Sequence, residues 1–298
     1  MSPVGNADTS VMFWTRYEGA GPVSLRVLEM EGSRIAATRF NGRVTPSPAG
    51  FVRTVVTGLR PNRQHLYAFL TGPTDRPTGR SLVGRVQTAI PADSMLPITF
   101  GGTSCSNQSH RPFPVLQHAG SRTDLDFFIH AGDHTYADHG DNAVTIEQYR
   151  ARHAENWASA GMRALHRSTG MYLTWDDHEV FNNWNPETIS GARREILNHI
   201  ANNRLRGVVW LSGDVHFGGV CTVEAAGAWG DIWEVIMGPA GANRDSRPSV
   251  CASQWPVLVH DVHNYTVLRA DPTTRTLTVE FINVAGNRIA NGRWSRRF

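Results

Sequence analysis

The sequence "YLTWDDHEVFNNW", residues 172–184, places acidic side chains directly after a short apolar run. Asp176, Asp177 and Glu179 surround His178 at the end of a predicted buried strand. Neighbouring buried carboxylates repel one another and lose hydration, which raises their pKa values or destabilises the fold unless a cation lies among them. The sequence therefore predicts that a positively charged group neutralises this cluster.

Three other apolar runs also end in polar loops, which read "GTSCSN", "HAGDHTYAD" and "LSGDVHF". In layered α/β proteins the loops at the carboxyl ends of neighbouring strands converge on one crevice, so these loops are expected to meet the acidic cluster. They offer thiolate, phenolate, carboxylate and imidazole donors that suit a metal site, namely Cys105, Asp133, His134, Tyr136, Asp138, Asp214 and His216.

Each of these three loops alone also has a purely structural explanation. A "GD" pair after a strand is most often a turn, and the "DVH" pattern is common near strand ends. A buried cysteine such as Cys105 is usually a small hydrophobic residue. An acidic cluster behind a buried strand has few structural uses, so the coincidence of four loops favours a metal site.

The elements that position these loops divide the chain into two predicted domains. Residues 1–95 alternate short β-branched runs with Gly/Pro turns, which predicts a β-sandwich. The stretch "TGLRPNRQHLYAF" is similar to a corner of fibronectin type III modules, with His65 where those modules often carry Tyr. A Pro-rich linker, residues 88–97, leads into a second domain of strands and helices over residues 96–298. Helices are predicted at "TIEQYRARHAENWAS" and "SGARREILNHIANN".

Composition excludes several classes of function. The 298 residues are 40% hydrophobic, which is typical of a globular protein with a sizeable core. The net charge is +3 and the arginines are scattered, so nucleic-acid binding is not predicted. No apolar stretch approaches the ~18 residues of a transmembrane segment. The N-terminal "MSPVGNADTS" lacks the features of a signal peptide, and nothing in the sequence indicates an oligomeric state.

The motifs "GTSCS", "HAGDHTYAD", "TWDDHEVFNNW" and "LSGDVHF", in this order, resemble those of the PhoD-like, or alkaline phosphatase D, metallophosphoesterases. The resemblance implies an Ig/fibronectin-III-like β-sandwich followed by a four-layer αββα catalytic domain. It also implies a metal-dependent phosphoric ester hydrolase, acting on phosphodiesters or phosphomonoesters, that works outside the cytoplasm in the periplasm or as a secreted protein.

The resemblance further implies two or more metal ions, with Asp133 bridging two of them. One ion would be held by Cys105, Tyr136 and His216, because thiolate and phenolate donors suit Fe³⁺ or another transition metal ion. The purple acid phosphatases share the "GDxxY" element, which supports Tyr136 as a ligand.

Carboxylates would hold the second ion, and an all-oxygen ligand set favours Ca²⁺. The resemblance implies Asp176, Asp177 and Asp214 for this role. Zn²⁺ or Mn²⁺ could occupy the same donors. Asn182 and Asn183 are expected to add an amide oxygen or to bind the substrate.

The implied reaction is attack of a metal-activated hydroxide on phosphorus. His178 would donate a hydrogen bond or a proton to the leaving oxygen, and Glu179 is expected to orient His178. The family motif assigns no role to three other histidines, which are expected to be structural: His134, His139 and His153.

The sequence also departs from the family pattern. The segment from Trp184 to Leu211 is shorter than the insertion that family members carry, which predicts a more open site that accepts bulky diesters, such as phospholipid or nucleotide diesters. His199 is the only candidate in this segment for an additional histidine ligand, and its helical context argues against that role. An alternative is a catalytically weakened, metal-stabilised binding module, against which the intact His178 argues.

Overall fold

The structure is a computed structural model that describes residues 2–180, 182–183, 189–244 and 255–298. This part of the chain contains nineteen strands and four α-helices. The strands are β1 (Ser2–Asn6), β2 (Ser10–Arg16), β3 (Val23–Glu31), β4 (Arg34–Val44), β5 (Phe51–Thr57), β6 (Gln64–Thr71), β7 (Gly79–Arg80), β8 (Gly84–Gln87), β9 (Ile98–Ser106), β10 (Phe127–Ala131), β11 (Gly170–Thr174), β12 (Val209–Ser212), β13 (Gly218–Thr222), β14 (Trp233–Ile236), β15 (Pro239–Gly241), β16 (Val257–Val259), β17 (Asn264–Asp271), β18 (Thr276–Asn283) and β19 (Arg288–Arg297). The helices are α1 (Pro114–Ser121), α2 (Ile146–Trp157), α3 (Ala160–Ser168) and α4 (Ile189–Asn202). The predicted mixture of helices and strands is confirmed, and most of the elements belong to sheets.

The N-terminal strands divide between two sheets. Strands β3, β4, β6, β7 and β8 form a five-stranded sheet, whereas β1, β2 and β5 extend a ten-stranded sheet. The two sets share one hydrophobic core, because inward-facing residues alternate with outward-facing ones along each strand. This core includes Val11, Phe13, Val52, Leu25, Val27, Tyr67 and Val86.

The ten-stranded sheet has the order β19-β18-β17-β9-β10-β11-β1-β2-β5, with β15 also paired to β9. Strands β9, β10 and β11 run parallel in register, so their carboxyl ends lie at one edge of the sheet. The loops that follow these three strands are therefore neighbours in space.

Helices α1 and α3 cover one face of this sheet. Their apolar residues, such as Leu116 and Leu165, share a core with Phe128 of β10 and Met171 of β11. The side-chain oxygen of Ser159 accepts a hydrogen bond from the Met162 N–H at the start of α3.

A four-stranded sheet of order β12-β14-β13-β16 packs against strands β17 to β19. The contact includes Val220 and Val235 on the smaller sheet and Leu268 and Phe281 on the larger one. Helix α4 packs its Leu197 against residues beside this smaller sheet.

Helices α2 and α4 coincide with the two helices predicted from the sequence, and α4 fills much of the short segment before Leu211. Helix α2 starts with a capping box between Thr145 and Gln148. Helices α1 and α3 were not predicted. Within the described ranges, no helix has the length and apolar character needed to cross a membrane.

Side chains of the N-terminal strands hold the ends of two helices. The Tyr67 hydroxyl on β6 donates to the Arg167 carbonyl at 3.2 Å, near the end of α3. The Arg85 guanidinium on β8 donates to the Gly120 carbonyl at 3.0 Å, near the end of α1. Because the last carbonyls of a helix lack partners within the helix, these bonds fix the helices that lie behind the site.

Candidate metal centre

The four loops singled out in the sequence follow β9, β10, β11 and β12. Cys105 lies at the end of β9, and Asp133, Asp176 and Asp214 each lie two residues after the strand that precedes them. Since β9, β10 and β11 are parallel neighbours, the first three loops meet at the carboxyl edge of the larger sheet. The loop after β12 reaches the same place, because the Asp214 carbonyl accepts from the Cys105 thiol at 3.3 Å.

Three of the candidate ligands have left-handed backbone conformations. The φ angles are 51° for Cys105, 54° for Asp133 and 66° for Asp214. Such a conformation costs a non-glycine residue about 1–3 kcal/mol and persists where the surrounding structure holds it. The loops therefore turn sharply at the residues that bear the candidate donors.

Two glycines allow these loops to approach one another closely. A Cβ atom on Gly132, which has a φ of +89°, would lie 2.4 Å from the Asp176 Cβ atom. A Cβ atom on Gly213 would lie 2.4 Å from the Ala131 carbonyl oxygen. Both glycines precede an aspartate, so the "GD" pairs have a steric reason that goes beyond turn formation.

Two overlapping groups of side chains can each supply ligand atoms that lie within 4.8 Å of one another. One group is Asp133, Asp177 and His178, and the other is Asp133, Asp176 and Asp214. Asp133 is common to both, which is the arrangement expected of a residue that bridges two ions.

The thiol and phenol donors lie beside Asp133, and the imidazole lies beside the phenol. The Cys105 Sγ atom is 3.6 Å from Asp133 Oδ2, and the Tyr136 hydroxyl is 3.5 Å from His216 Nε2. Cys105 and Tyr136 are both buried and pack together with Ala242. The structure thus brings together all seven metal ligands that were suggested from the sequence, although their roles remain predictions.

Negative charge accumulates in the site. Burial, together with the nearby carboxylates of Glu179, Asp177 and Asp176, raises the pKa of Asp133 from 3.8 to about 8. Burial, Asp214 and Asp177 raise the pKa of Asp176 to about 6. A nearby cation would favour the ionised form of each group, which is the electrostatic condition that a metal site provides.

The ionised forms of the other candidate ligands would also be stabilised by a nearby cation. Burial and the nearby Asp133 raise the pKa of the Cys105 thiol, and burial and Cys105 raise the pKa of Tyr136. The Asp177 Oδ1 atom is buried and has no hydrogen-bond partner among the described residues. A buried carboxylate oxygen without a donor is costly, and a metal ion would satisfy it.

Glu179 holds the backbones of two loops, which differs from the role expected from the sequence. Its Oε2 accepts from the N–H groups of Asp133 at 3.0 Å and Asp176 at 2.8 Å. Its Oε1 accepts from the Thr135 N–H at 3.1 Å. The expectation that Glu179 orients His178 was wrong, because this buried carboxylate is occupied by amides of the loops after β10 and β11.

Asp138 is the residue that orients His178. The His178 Nδ1 atom lies 2.8 Å from Asp138 Oδ2, and the imidazole stacks on the Tyr136 ring with 4.1 Å between centroids. Asp138 also accepts from the Asn182 N–H at 2.6 Å. Its position two residues after Tyr136, in the same "DHTYAD" motif, was the available signal in the sequence.

The asparagines predicted to bind substrate contact the site through their backbones. The Asn182 N–H donates to Asp138, as described above, and the Asn183 N–H donates to Asp177 Oδ2. Both residues are exposed at the mouth of the site. Substrate binding by their side chains remains a prediction.

The remaining histidines lie in varied surroundings. His134 is buried, with its Nδ1 atom 3.7 Å from Glu179 Oε1, and His153 Nδ1 contacts the Thr135 hydroxyl at 3.2 Å. His139 is exposed. His199 lies within α4, where its ring contacts the side-chain amide of Asn203.

Comparison with known proteins supports the resemblance seen in the motifs. A sequence model of the PhoD-like phosphatase family matches residues 100–192, which contain the first three of the four loops. Alkaline phosphatase D of Bacillus subtilis (strain 168) is 29% identical over 202 residues, which is 59% of this chain. That alignment spans 34% of the relative's own length. The predicted resemblance to the PhoD-like family is confirmed.

Two solved structures share the fold. A structure of PhoD matches with a TM-score of 0.77 and 17% identity, and the match covers 99% of this chain and 88% of that one. The purple acid phosphatase PPD1 from yellow lupin seeds matches with a TM-score of 0.64 and 10% identity, and the match covers 98% of this chain and 73% of that one. At these identities the comparison concerns the fold alone.

Proposed function

We propose that the chain is a metal-dependent phosphoric ester hydrolase of the alkaline phosphatase D type, acting on phosphodiesters or phosphomonoesters. The observation that carries the proposal is the pair of overlapping donor groups that share the buried Asp133. The similarity to PhoD-like phosphatases over residues 100–192 supports the same conclusion.

The donors fit two different kinds of ion. Cys105, Tyr136 and His216 would hold Fe³⁺ beside Asp133, because thiolate and phenolate oxygen stabilise a trivalent transition ion. The carboxylates of the second group, Asp176, Asp177 and Asp214, would hold Ca²⁺, with Zn²⁺ or Mn²⁺ as the other candidates. When bound, such ions neutralise phosphate charge and make water a stronger nucleophile.

His178 supplies the proton-transfer chemistry in this proposal. Its Nδ1 atom is occupied by Asp138, which leaves Nε2 as the ring atom that can donate to a leaving oxygen. Stacking on Tyr136 fixes the plane of the imidazole. The ring therefore needs little reorientation to serve as a general acid.

The architecture proposed for this enzyme is an Ig/fibronectin-III-like sandwich over residues 1–95 and a four-layer αββα catalytic domain over residues 96–298. Its support is the shared core of the N-terminal strands and the order of packing from α1 and α3, through two sheets, to α4. An extracytoplasmic location belongs to the proposal through the family resemblance.

The proposed substrates include bulky diesters, such as phospholipid or nucleotide diesters. The short segment before Leu211 supports this, and so does the exposure of Asn182 and Asn183. Trp175, which is 69% exposed and directly precedes Asp176, offers an aromatic surface to an apolar ester group.

The test compares three variants for bound metal and for hydrolysis of bis-p-nitrophenyl phosphate. Asp133→Asn is expected to lose both, and His178→Asn is expected to retain metal but lose turnover. Asp141→Asn, which changes an exposed carboxylate, is the control and should retain both. Turnover that survives in Asp133→Asn would contradict the proposal. Metal binding without turnover in any variant, wild type included, would favour the binding-module alternative.

A further inference from the structure

Three basic residues line the flank of the candidate metal centre beside Cys105 and Tyr136. We call His110, Arg244 and His263 the basic rim. They come from three separate segments: the loop after β9, the loop after β15 and the residue before β17. None of them belongs to the donor groups described above, and the sequence motifs gave none of them a role.

Backbone pairing brings these segments together. Strand β15 pairs with the end of β9, and the Asn107 N–H donates to the Gly241 carbonyl at 2.6 Å. A Cβ atom on Gly241 would lie 3.0 Å from the His110 Cβ atom, so the loop that carries Arg244 starts against His110. The His263 Nε2–H donates to the Ala242 carbonyl at 2.8 Å, which fixes the third segment on the other two.

The side chains of the basic rim are oriented by contacts to one another and to backbone. The His110 and His263 rings meet edge to face, with 5.3 Å between centroids. The Arg244 guanidinium donates a hydrogen bond to the Asp261 carbonyl at 2.8 Å. The Asp261 carboxylate contacts His260 Nδ1 at 2.8 Å, whereas Arg244 contacts the backbone carbonyl of Asp261.

The basic rim is continuous with the metal centre. Ala242, which accepts from His263, packs directly on Cys105 and Tyr136. Burial lowers the pKa of His263, and His110, Arg244 and His216 lower it further. These neighbouring positive groups make protonation of His263 less favourable, and a bound anion would offset their mutual repulsion.

We propose that the basic rim binds a second anionic group, carboxylate or phosphate, of a substrate whose scissile phosphoryl group lies at the metal centre. Arg244 and His110 donate to this group, and His263 positions His110. His178 stacks on the Tyr136 ring and contacts Asp138 through Nδ1, so the proposed leaving-group donor is held by residues outside the basic rim. This inference rests on the proposed hydrolase function and narrows its substrates to esters that carry an additional negative charge.

A matched pair of ligands tests the inference. 3-Phosphonopropionate and propylphosphonate have the same chain length and differ by one terminal carboxylate. Their affinities for the metal-loaded protein are measured by calorimetry and by inhibition of bis-p-nitrophenyl phosphate hydrolysis. The wild type should bind 3-phosphonopropionate about five- to tenfold more tightly, which is the effect of one charge-assisted contact.

The ratio of the two affinities should fall to about one in Arg244→Gln, and it should fall partly in His110→Gln. Arg43→Gln, an exposed arginine on β4, is the control for net charge and should keep the wild-type ratio. Equal affinities in the wild type, or an unchanged ratio in Arg244→Gln, would overturn the inference while propylphosphonate binding and turnover still support the hydrolase. Failure of both ligands to bind and of the ester to be cleaved would overturn the hydrolase proposal and this inference together.

Discussion

The charge on Asp133 should make the metal-free protein lose stability at alkaline pH. Asp133 is fully buried and faces three other carboxylates, Glu179, Asp177 and Asp176. Its pKa is raised from 3.8 to about 8, mainly by burial. In the absence of bound cations, the folded chain therefore retains a proton on Asp133 at neutral pH that the unfolded chain has released.

The sign of the effect follows from proton linkage. A carboxyl group whose pKa is higher in the folded state gives its full stabilisation below its unfolded pKa, and this is lost as pH rises through the folded pKa. With a folded pKa of about 8, integration from pH 7 to pH 9 gives a loss of about 1.4 kcal/mol from this group. Other groups titrate in the same range, so the comparison must be made with a variant that lacks only this carboxyl.

The assay is urea unfolding followed by circular dichroism, with a chelator present, at pH 7 and at pH 9. Wild type should lose about 1.4 kcal/mol more than Asp133→Asn over this interval, and metal loading should remove the difference, because the cation keeps Asp133 ionised in the folded state. Equal losses in the two chains would refute the account of the electrostatics. A smaller loss in the wild type would give the wrong sign and refute it as well.

Three further substitutions test other parts of the structure. Glu179→Gln should weaken metal binding roughly 10- to 100-fold, because the amide cannot accept from all three loop N–H groups. Metal titration against Glu195→Gln, which changes an exposed glutamate on α4, measures this, and unchanged affinity would contradict it. Asp138→Asn should lower kcat about 10- to 100-fold and alter the pH profile without loss of metal, whereas an unchanged profile would argue against its role on His178. Glu29→Gln should destabilise the fold by about 1.5–3 kcal/mol, since the buried Glu29 accepts from two arginines. The hydrogen bond from Arg60 helps to hold the pKa of Glu29 at about 2, so this stabilisation should persist above pH 4.5 and disappear as pH falls through 2; urea unfolding at several pH values would show a constant difference if the reasoning is wrong.

The position of the site could be predicted because each of its loops has a local signature. An apolar run followed by a Gly-Asp pair marks the end of a buried strand, and parallel neighbours place such ends together. Asp133 and Asp214 were found in this way, and Asp176 was found from its acidic neighbours. The signal was local in every case, which is why it could be read from a single sequence.

The connections between the loops could not be predicted. The contact of Asp138 with His178 joins two loops that are far apart in sequence. The hydrogen bond from the Asp133 amide to Glu179 joins the same two loops. These contacts follow from sharp turns at residues with positive φ, such as Asp133, which sequence patterns do not reveal. The pairing of β1 with β11, through Val4 and Met171, is likewise a long-range event without a local signature.

The basic rim was missed for a related reason. His110, Arg244 and His263 are far apart in sequence, and none belongs to a recognisable motif. The pairing of β15 with β9 and the hydrogen bond from His263 to the Ala242 carbonyl place them on one flank of the site. The proximity of these three residues is therefore visible only in the tertiary structure.

The most direct test of the central claim is a metal titration of the chelated protein with iron and Ca²⁺, with bound metal per chain and hydrolysis of bis-p-nitrophenyl phosphate recorded at each step. Since Asp133 is shared by two donor groups, turnover should appear only as at least two ions bind per chain, and Asp133→Asn should show no such rise. Full turnover with one ion or none would contradict the shared-ligand centre.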